Sequence, residues 1–311
     1  MHIFERWSFP FLVVVFVIAS IVIVSKANAG APAGQGFPGG FGGWLVTFGA
    51  AFGYAAGWNP YAADYTRYLP PDTDRRATGL WSGLGVFLSC VVLEVVGAAA
   101  ATVTSSSKFG ANPTAGFTSH LATPLADLTL IAIALGAVCA NALNVYSGAM
   151  SFLALGIRLP LALRRAIVAL VFGVVGFFVA LSGLHDAGTK YTNFLLVIAY
   201  WIGPWLGVFF ADQFLRRGKQ VAGLLFDRRH NPWAGFAAMG IGTFVGIFFF
   251  AKQTKYVGIV PKHQSAFGDL AFEVGFVVAA LLYALFFRLQ GEASVEETLH
   301  IPDAEVTAGG T

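Results

Sequence analysis

Gly53-Tyr-Ala-Ala-Gly57-Trp58-Asn59-Pro60-Tyr61-Ala-Ala-Asp64-Tyr65-Thr66-Arg67-Tyr68 interrupts an apolar run that begins at Phe41. Phe41–Ala56 makes only about 24 Å of helix at ~1.5 Å per residue, too short to cross a hydrocarbon core of about 30 Å. Gly57 suits a left-handed helix end and Asn59 suits an N-cap. Pro60 is tolerated in a first helical turn because it has no N–H to leave unpaired. A second half-helix is predicted over Pro60–Leu69, carrying Asp64 and stopping before Pro70-Pro71. Backbone freed at Gly57–Asn59 is tolerated at membrane depth only where protein buries it or it lines a cavity. Discontinuous helices of this kind are where secondary transporters place substrate and ion sites. A plain proline kink in a packed helix is the alternative, and capping residues on both sides of Trp58 favour the functional break.

Composition sets the class. Of 311 residues 57% are hydrophobic and 11% charged, against about 25% charged in a soluble domain. With 30 Phe and a mean hydropathy of +0.70, the chain cannot cover a water-facing surface. An ordinary soluble enzyme, a nucleic-acid-binding domain and a disordered tail are excluded. A net charge of +3 is too small and too dispersed to point to a polyanion. Cys90 and Cys139 both lie in apolar runs, which argues against a disulfide framework or a zinc site. The six histidines are scattered at loops and ends, with no metal motif and no nucleotide-binding Gly-rich loop.

Eight spans are predicted: Trp7–Val24, Phe41–Leu69 (interrupted), Leu80–Val103, Pro124–Ala149, Arg165–Ser182, Thr192–Phe214, Trp233–Ala251 and Ala271–Phe287. The first is too long for the apolar part of a signal peptide, and Ser25-Lys26-Ala27-Asn28 leads into a Gly/Pro-rich connector, Ala31–Gly43. Asn112-Pro113 and Thr123-Pro124 bracket an outer loop with a short helix. The expected organisation is a membrane-embedded domain over 1–290 and an acidic, disordered cytoplasmic tail over 291–311. With the N-terminus in the cytoplasm, Arg6, Arg67, Arg75, Arg76, Arg158, Arg164, Arg165, Arg216, Arg217, Lys219, Arg228, Arg229 and Arg288 fall inside. Lys26, Lys108, Lys190, Lys252, Lys255 and Lys262 fall outside. Every arginine is then on one side, a positive-inside pattern that puts both termini in the cytoplasm.

The run from Gly57 to Pro70 resembles the sixth-helix signature of the purine–cytosine permeases, the nucleobase:cation symporters that also include carriers of allantoin and hydantoins. Phe4-Glu5-Arg6-Trp7 resembles the start of that family's fifth helix, and Asn141-Ala-Leu-Asn144-Val-Tyr146-Ser147 its eighth-helix motif. The resemblance implies a leucine-transporter-type fold of two inverted five-helix repeats followed by two further helices. This chain would then supply helices five to twelve, the C-terminal part of that fold. The family's first four helices, which bring half the cation site and an aromatic stacking wall, are expected to be missing, as in a fragment or an internal-start product.

Each candidate residue has two readings. Trp58 at the break either stacks on a planar base or is an aromatic packed beside the kink. Asn141 and Asn144 lie one turn apart on an otherwise apolar helix and share a face. An amide offers both donor and acceptor, matching the carbonyl and ring N–H edge of a nucleobase without adding charge; the alternative is interhelical glue. The resemblance aligns Asn144 with the family's substrate-binding asparagine. Fungal members carry a second asparagine where this chain has Ala140 and a proline where it has Leu143, so Asn141 is one position out of register. Sodium-coupled members have hydroxyls just before the asparagines. Here the stretch is Gly136-Ala-Val-Cys139-Ala140, and a hard cation wants oxygen ligands, so proton coupling is favoured over sodium.

Glu94 stands alone in mid-span, where a carboxylate should be paired or protonated, and it is the candidate for ion or proton coupling. Asp127, Asp212 and Glu273 fall near span ends, where solvated or pairing roles suffice. Asp64 is expected to pair with Arg67 one turn later. Gly203-Pro204 is expected to kink its span as a hinge. The resulting expectation is a transporter in the cell membrane that imports a nucleobase-like substrate against a cation gradient by alternating access, with no cofactor and no metal. An intramembrane enzyme would need paired catalytic groups at one depth, and none are seen. A truncated permease without transport of its own is the third reading.

Overall fold

The computed structural model describes residues 2–31, 40–70, 72–154, 160–217, 231–264 and 266–290. The middle of the Gly/Pro-rich connector, the arginines at 158, 228 and 229 with Lys219, and the tail from 291 lie outside the described residues. The apolar runs fold as helices, because in hydrocarbon a backbone must satisfy its own polar groups. They are α1 (His2–Lys26), α2 (Phe41–Ala56), α3 (Ala62–Thr66), α4 (Arg75–Val103), α5 (Ser106–Ala111), α6 (Pro113–Thr118), α7 (Thr123–Ala154), α8 (Leu161–Gly183), α9 (Ala187–Arg216), α10 (Trp233–Phe250), α11 (Ile259–His263) and α12 (Ala271–Gln290). Among the described residues seven helices, α1, α4, α7, α8, α9, α10 and α12, are long and apolar enough to cross a membrane. The eighth expected span is the interrupted one, and neither α2 nor α3 reaches that length alone. The chain is an all-helical polytopic membrane protein. Leu170, Phe172, Phe177 and Phe178 of α8 are exposed, which suits a lipid-facing surface. The one extended pairing among the described residues is an isolated bridge between Lys252 and Val257.

The chain divides into two compact units, Met1–Val197 and Ile198–Thr311. In the first, α1 packs on α4 and α7, with Ala19, Ile23, Val96, Ala100 and Leu121 fully or nearly buried together. Their polar ends are tied on one side: the Lys26 ammonium donates to the His120 carbonyl at 2.6 Å, and the Asn28 N–H donates to Thr102 Oγ1 at 3.0 Å. The short outer helix expected after Asn112-Pro113 is α6. The Asn112 side chain caps it by accepting from the Ala115 N–H at 3.0 Å, and Pro113 fills the first turn.

The second unit is built on backbone proximity rather than bulk. A β-carbon placed on Gly203 would lie 2.7 Å from the Phe272 carbonyl oxygen, and one on Gly242 would lie 2.8 Å from that of Gly275. Gly207 and Gly246, one turn further along the same two helices, approach the carbonyls of Phe276 and Ala271 more closely still. Paired small residues four apart thus seat α12 against both α9 and α10, the usual way for membrane helices to gain dispersion contact. Pro204 is fully buried here and packs on Gly275.

The break differs in detail from what its sequence predicts. Gly57 is right-handed (φ −56°, ψ −20°), so the helix does not end in a left-handed cap. Asn59 is not the N-cap of a second helix; it opens a 3-10 turn, Asn59–Tyr61, flanked by Trp58, with no side-chain capping bond. The physical reason is Pro60, which has no N–H to give the Ala56 carbonyl. The chain tightens instead: the Trp58 N–H donates to Ala55 O at 3.5 Å and the Tyr61 N–H to Trp58 O at 3.1 Å. The second half-helix is short, α3 ending at Thr66.

Candidate functional site

Trp58 is half-buried at the point where α2 gives way to the 3-10 turn, and Gly57 and Pro60 flank it, also half-buried. Asn141 and Asn144 lie in α7 with exposed side chains. The amides and the indole are not bonded to one another among the described residues. What joins the two segments is a set of hydroxyls. Tyr65 and Ser147 hydroxyls lie 3.2 Å apart, and Tyr68 and Tyr146 hydroxyls 2.6 Å apart. Tyr146 also donates to the Asp64 carbonyl at 3.3 Å, and the Tyr65 and Tyr146 rings lie 6.1 Å apart. Because the Tyr146 proton goes to Asp64, the consistent arrangement has Tyr68 donating to Tyr146. The segment following the break is therefore docked on the helix that carries both asparagines, immediately beside Asn144.

Glu94 is exposed on α4, close enough to Cys90 and to Tyr54 of α2 to interact with both electrostatically. No ion pair to Glu94 occurs among the described residues. Tyr54 is one turn before Trp58, so Glu94 flanks the break. Asp64 and Arg67 form no ion pair among the described residues: α3 ends at Thr66, and Asp64 contributes its carbonyl instead. Gly203 and Pro204 stay within α9 in the close packing on α12, and a hinge there finds no support beyond the proline itself. Asp212 is paired, accepting from Arg216 Nε at 2.6 Å and from the Tyr283 hydroxyl. Glu273, expected to be solvated or paired, has both carboxylate oxygens buried with no hydrogen-bond partner among the described residues. It lies in the first turn of α12, on packed helix surface. No group of three or more His, Cys, Asp or Glu fit to hold a metal ion occurs among the described residues.

Residues 1–275 match the family model of permeases for cytosine/purines, uracil, thiamine and allantoin. The chain belongs to this family. It is 32% identical to the purine-cytosine permease fcyB of Emericella nidulans over 91% of its own length and 58% of that protein. To the putative purine-cytosine permease YxlA of Bacillus subtilis it is 29% identical, over 92% of the chain and 64% of the relative. To the purine-cytosine permease FCY2 of Saccharomyces cerevisiae it is 27% identical, over 93% and 57%. The chain thus spans about three-fifths of the length of these relatives. No solved structure matches it. Its family is one of permeases, not of enzymes. Sequence reasoning does not single out the tyrosines at 65, 68 and 146, although polar-tipped rings three residues apart in a membrane segment are a signal for interhelical bonding.

Proposed function

We propose that this permease-family chain forms the part of a secondary active transporter that binds a nucleobase-like substrate, a purine, cytosine or a related heterocycle, and imports it by alternating access with a coupled cation, a proton. The observation that carries this reading is the docking of the broken segment on the asparagine helix. It joins the segment that follows the Trp58 break to the helix that carries the two asparagines, and an indole and amides are the groups best suited to a flat, neutral, hydrogen-bonding ring. The family match and the names of the relatives support the substrate class. The transport domain is 1–290, the tail 291–311 is cytoplasmic, and the positive-inside pattern puts both termini inside the cell membrane.

Asn144 supplies the test. An amide that a bound base covers discriminates by polar pattern, since a mismatched substrate leaves it unsatisfied at a cost of about 1–3 kcal/mol. In a transport-competent permease carrying this sequence, Asn144→Asp is expected to reorder a competition panel of cytosine, adenine, hypoxanthine and allantoin. Asn144→Ala is expected to weaken the good substrates by about tenfold, the equivalent of ~1.4 kcal/mol. Lower thermal stability with the order of preference unchanged would assign Asn144 to helix packing, and the weight would move to Asn141. Coupling is read at Glu94, beside Tyr54 and the break. Glu94→Gln is expected to leave uptake that no longer follows an imposed proton gradient; uptake that still tracks the gradient would place the coupling group elsewhere.

A further inference from the structure

We infer that Tyr65, Tyr68, Tyr146 and Ser147 form a hydroxyl latch that closes the arginine-rich side of the nucleobase site, a role that rests on the site proposed above. These are positioning residues, since none of them needs to touch the substrate. α7 runs from Thr123 to Ala154 and leads toward Arg158, Arg164 and Arg165. Tyr146 and Ser147 follow Asn144 by two and three residues, about 3–4.5 Å further along the axis at ~1.5 Å per residue. They therefore stand between the asparagines and the arginine-rich end. Tyr65 and Tyr68 bond them from a segment that carries Arg67 and is followed in sequence by Arg75 and Arg76.

The bonding has the properties of a closure rather than of a permanent weld. Ser147 is buried, whereas Asn144, only three residues away, is exposed: the latch seals the helix surface next to the amides. All four partners are neutral hydroxyls, so each can exchange its bond for one to water without stranding a charge. The donor sequence is complete, from Tyr68 to Tyr146 to the Asp64 carbonyl, with Tyr65 and Ser147 beside it. The moving part is short. α3 has five residues, with the Pro60 break at one end and Pro70 at the other, so the segment can tilt off α7 without unravelling a long helix. A substrate leaving between these elements toward the arginine-rich side requires the latch to part.

The test uses the full chain with Cys90→Ser, Cys139→Ala and a reporter, Ala140→Cys. Ala140 is exposed and shares a face of α7 with Asn144 and Ser147, at spacings of four and seven, on the far side of Asn144 from the latch. In oriented vesicles, a membrane-impermeant maleimide is applied from the arginine-rich side. Tyr65→Phe with Tyr68→Phe, which keeps both rings and removes both hydroxyls, is expected to speed labelling by about fivefold or more, while labelling from the opposite side does not rise. Ser147→Ala is expected to give a smaller increase that Ser147→Thr reverses. Tyr68→Phe and Tyr146→Phe together should do no more than Tyr146→Phe alone, because that change already removes the bond to Tyr68 as well as the one to the Asp64 carbonyl. Equal labelling rates with and without the hydroxyls, or no labelling from either side, overturn the latch. Should the double variant fold poorly, Ser147→Ala alone decides the matter by the same readout. The site reading fails separately: neither cytosine nor adenine would then bind the unaltered protein, whatever the labelling rates.

Discussion

Replacing Asp269 by alanine is expected to destabilise the second unit by roughly 3 kcal/mol or more, at about 1–3 kcal/mol for each of three buried donors that lose their acceptor. Asp269 is 1% exposed. Its Oδ1 accepts the Ala271 N–H at 3.1 Å, at the start of α12. Its Oδ2 accepts the Lys252 N–H at 2.6 Å and the Tyr200 hydroxyl of α9. One carboxylate thus caps a helix, holds the turn after α10 and ties both to α9. Tyr200→Phe removes the hydroxyl's bonds to Asp269 and to Gln253 while leaving the two backbone donors on Asp269 satisfied, and should cost less than the alanine change. Asp269→Asn should fall between, because an amide has one acceptor oxygen where the site needs two. Thermal unfolding in detergent orders the three variants. If Asp269→Ala melts with the unaltered protein, the network is incidental.

The same carboxylate sets a pH dependence. Burial pushes the Asp269 carboxyl above its ordinary value, and the bonds from Tyr200, Lys252 and Ala271 offset part of that rise. A raised acid means that the folded state favours the protonated form. Its contribution is therefore fully present below the ordinary carboxylate range, near pH ~4, and is lost as pH rises through the raised value. Relative to Asp269→Asn, the unaltered protein should gain stability on acidification toward that range. A difference between the two that stays flat with pH would show that folding leaves the proton affinity of the Asp269 carboxyl unchanged.

The interrupted second span is legible from sequence alone because its signals are covalent: proline has no N–H, and a sixteen-residue helix cannot bridge a bilayer. The other spans and the short helix capped by Asn112 are legible for the same local reasons. What sequence leaves hidden depends on partners distant along the chain. Whether Gly57 reverses or tightens is decided by how the turn at Pro60 is bonded, not by glycine's own freedom. Asp269 looks like any loop aspartate until Tyr200, 69 residues away, is found to donate to it. Tyr65 and Ser147 are 82 residues apart, and nothing local marks them as neighbours. At Glu94 the depth in a span is legible, but the face of the helix that the side chain takes is set by what packs there. The spaced glycines at 203 and 207, and at 242 and 246, are visible as a pattern, yet only the backbone of α12 explains them.

Trp58→Ala is expected to raise the apparent KM for nucleobase uptake by about 5- to 150-fold, or to abolish uptake, in a transport-competent permease carrying this sequence. That range is the ~1–3 kcal/mol lost when a base is deprived of its aromatic stacking partner, converted at ~1.4 kcal/mol per tenfold. Trp58→Phe keeps a π face of smaller area and should retain part of the affinity. The substitution is clean, because the bonds through which Trp58 holds the break are made by its backbone: its N–H to Ala55 O and its carbonyl from the Tyr61 N–H. Alanine and phenylalanine preserve both, and so leave the 3-10 turn and Pro60 in place. A packing role predicts a different order, in which thermal stability falls from Trp to Phe to Ala while the apparent KM of each folded variant stays unchanged. Uptake kinetics at matched surface expression separate the two, and equal KM for all three would remove Trp58 from the binding site.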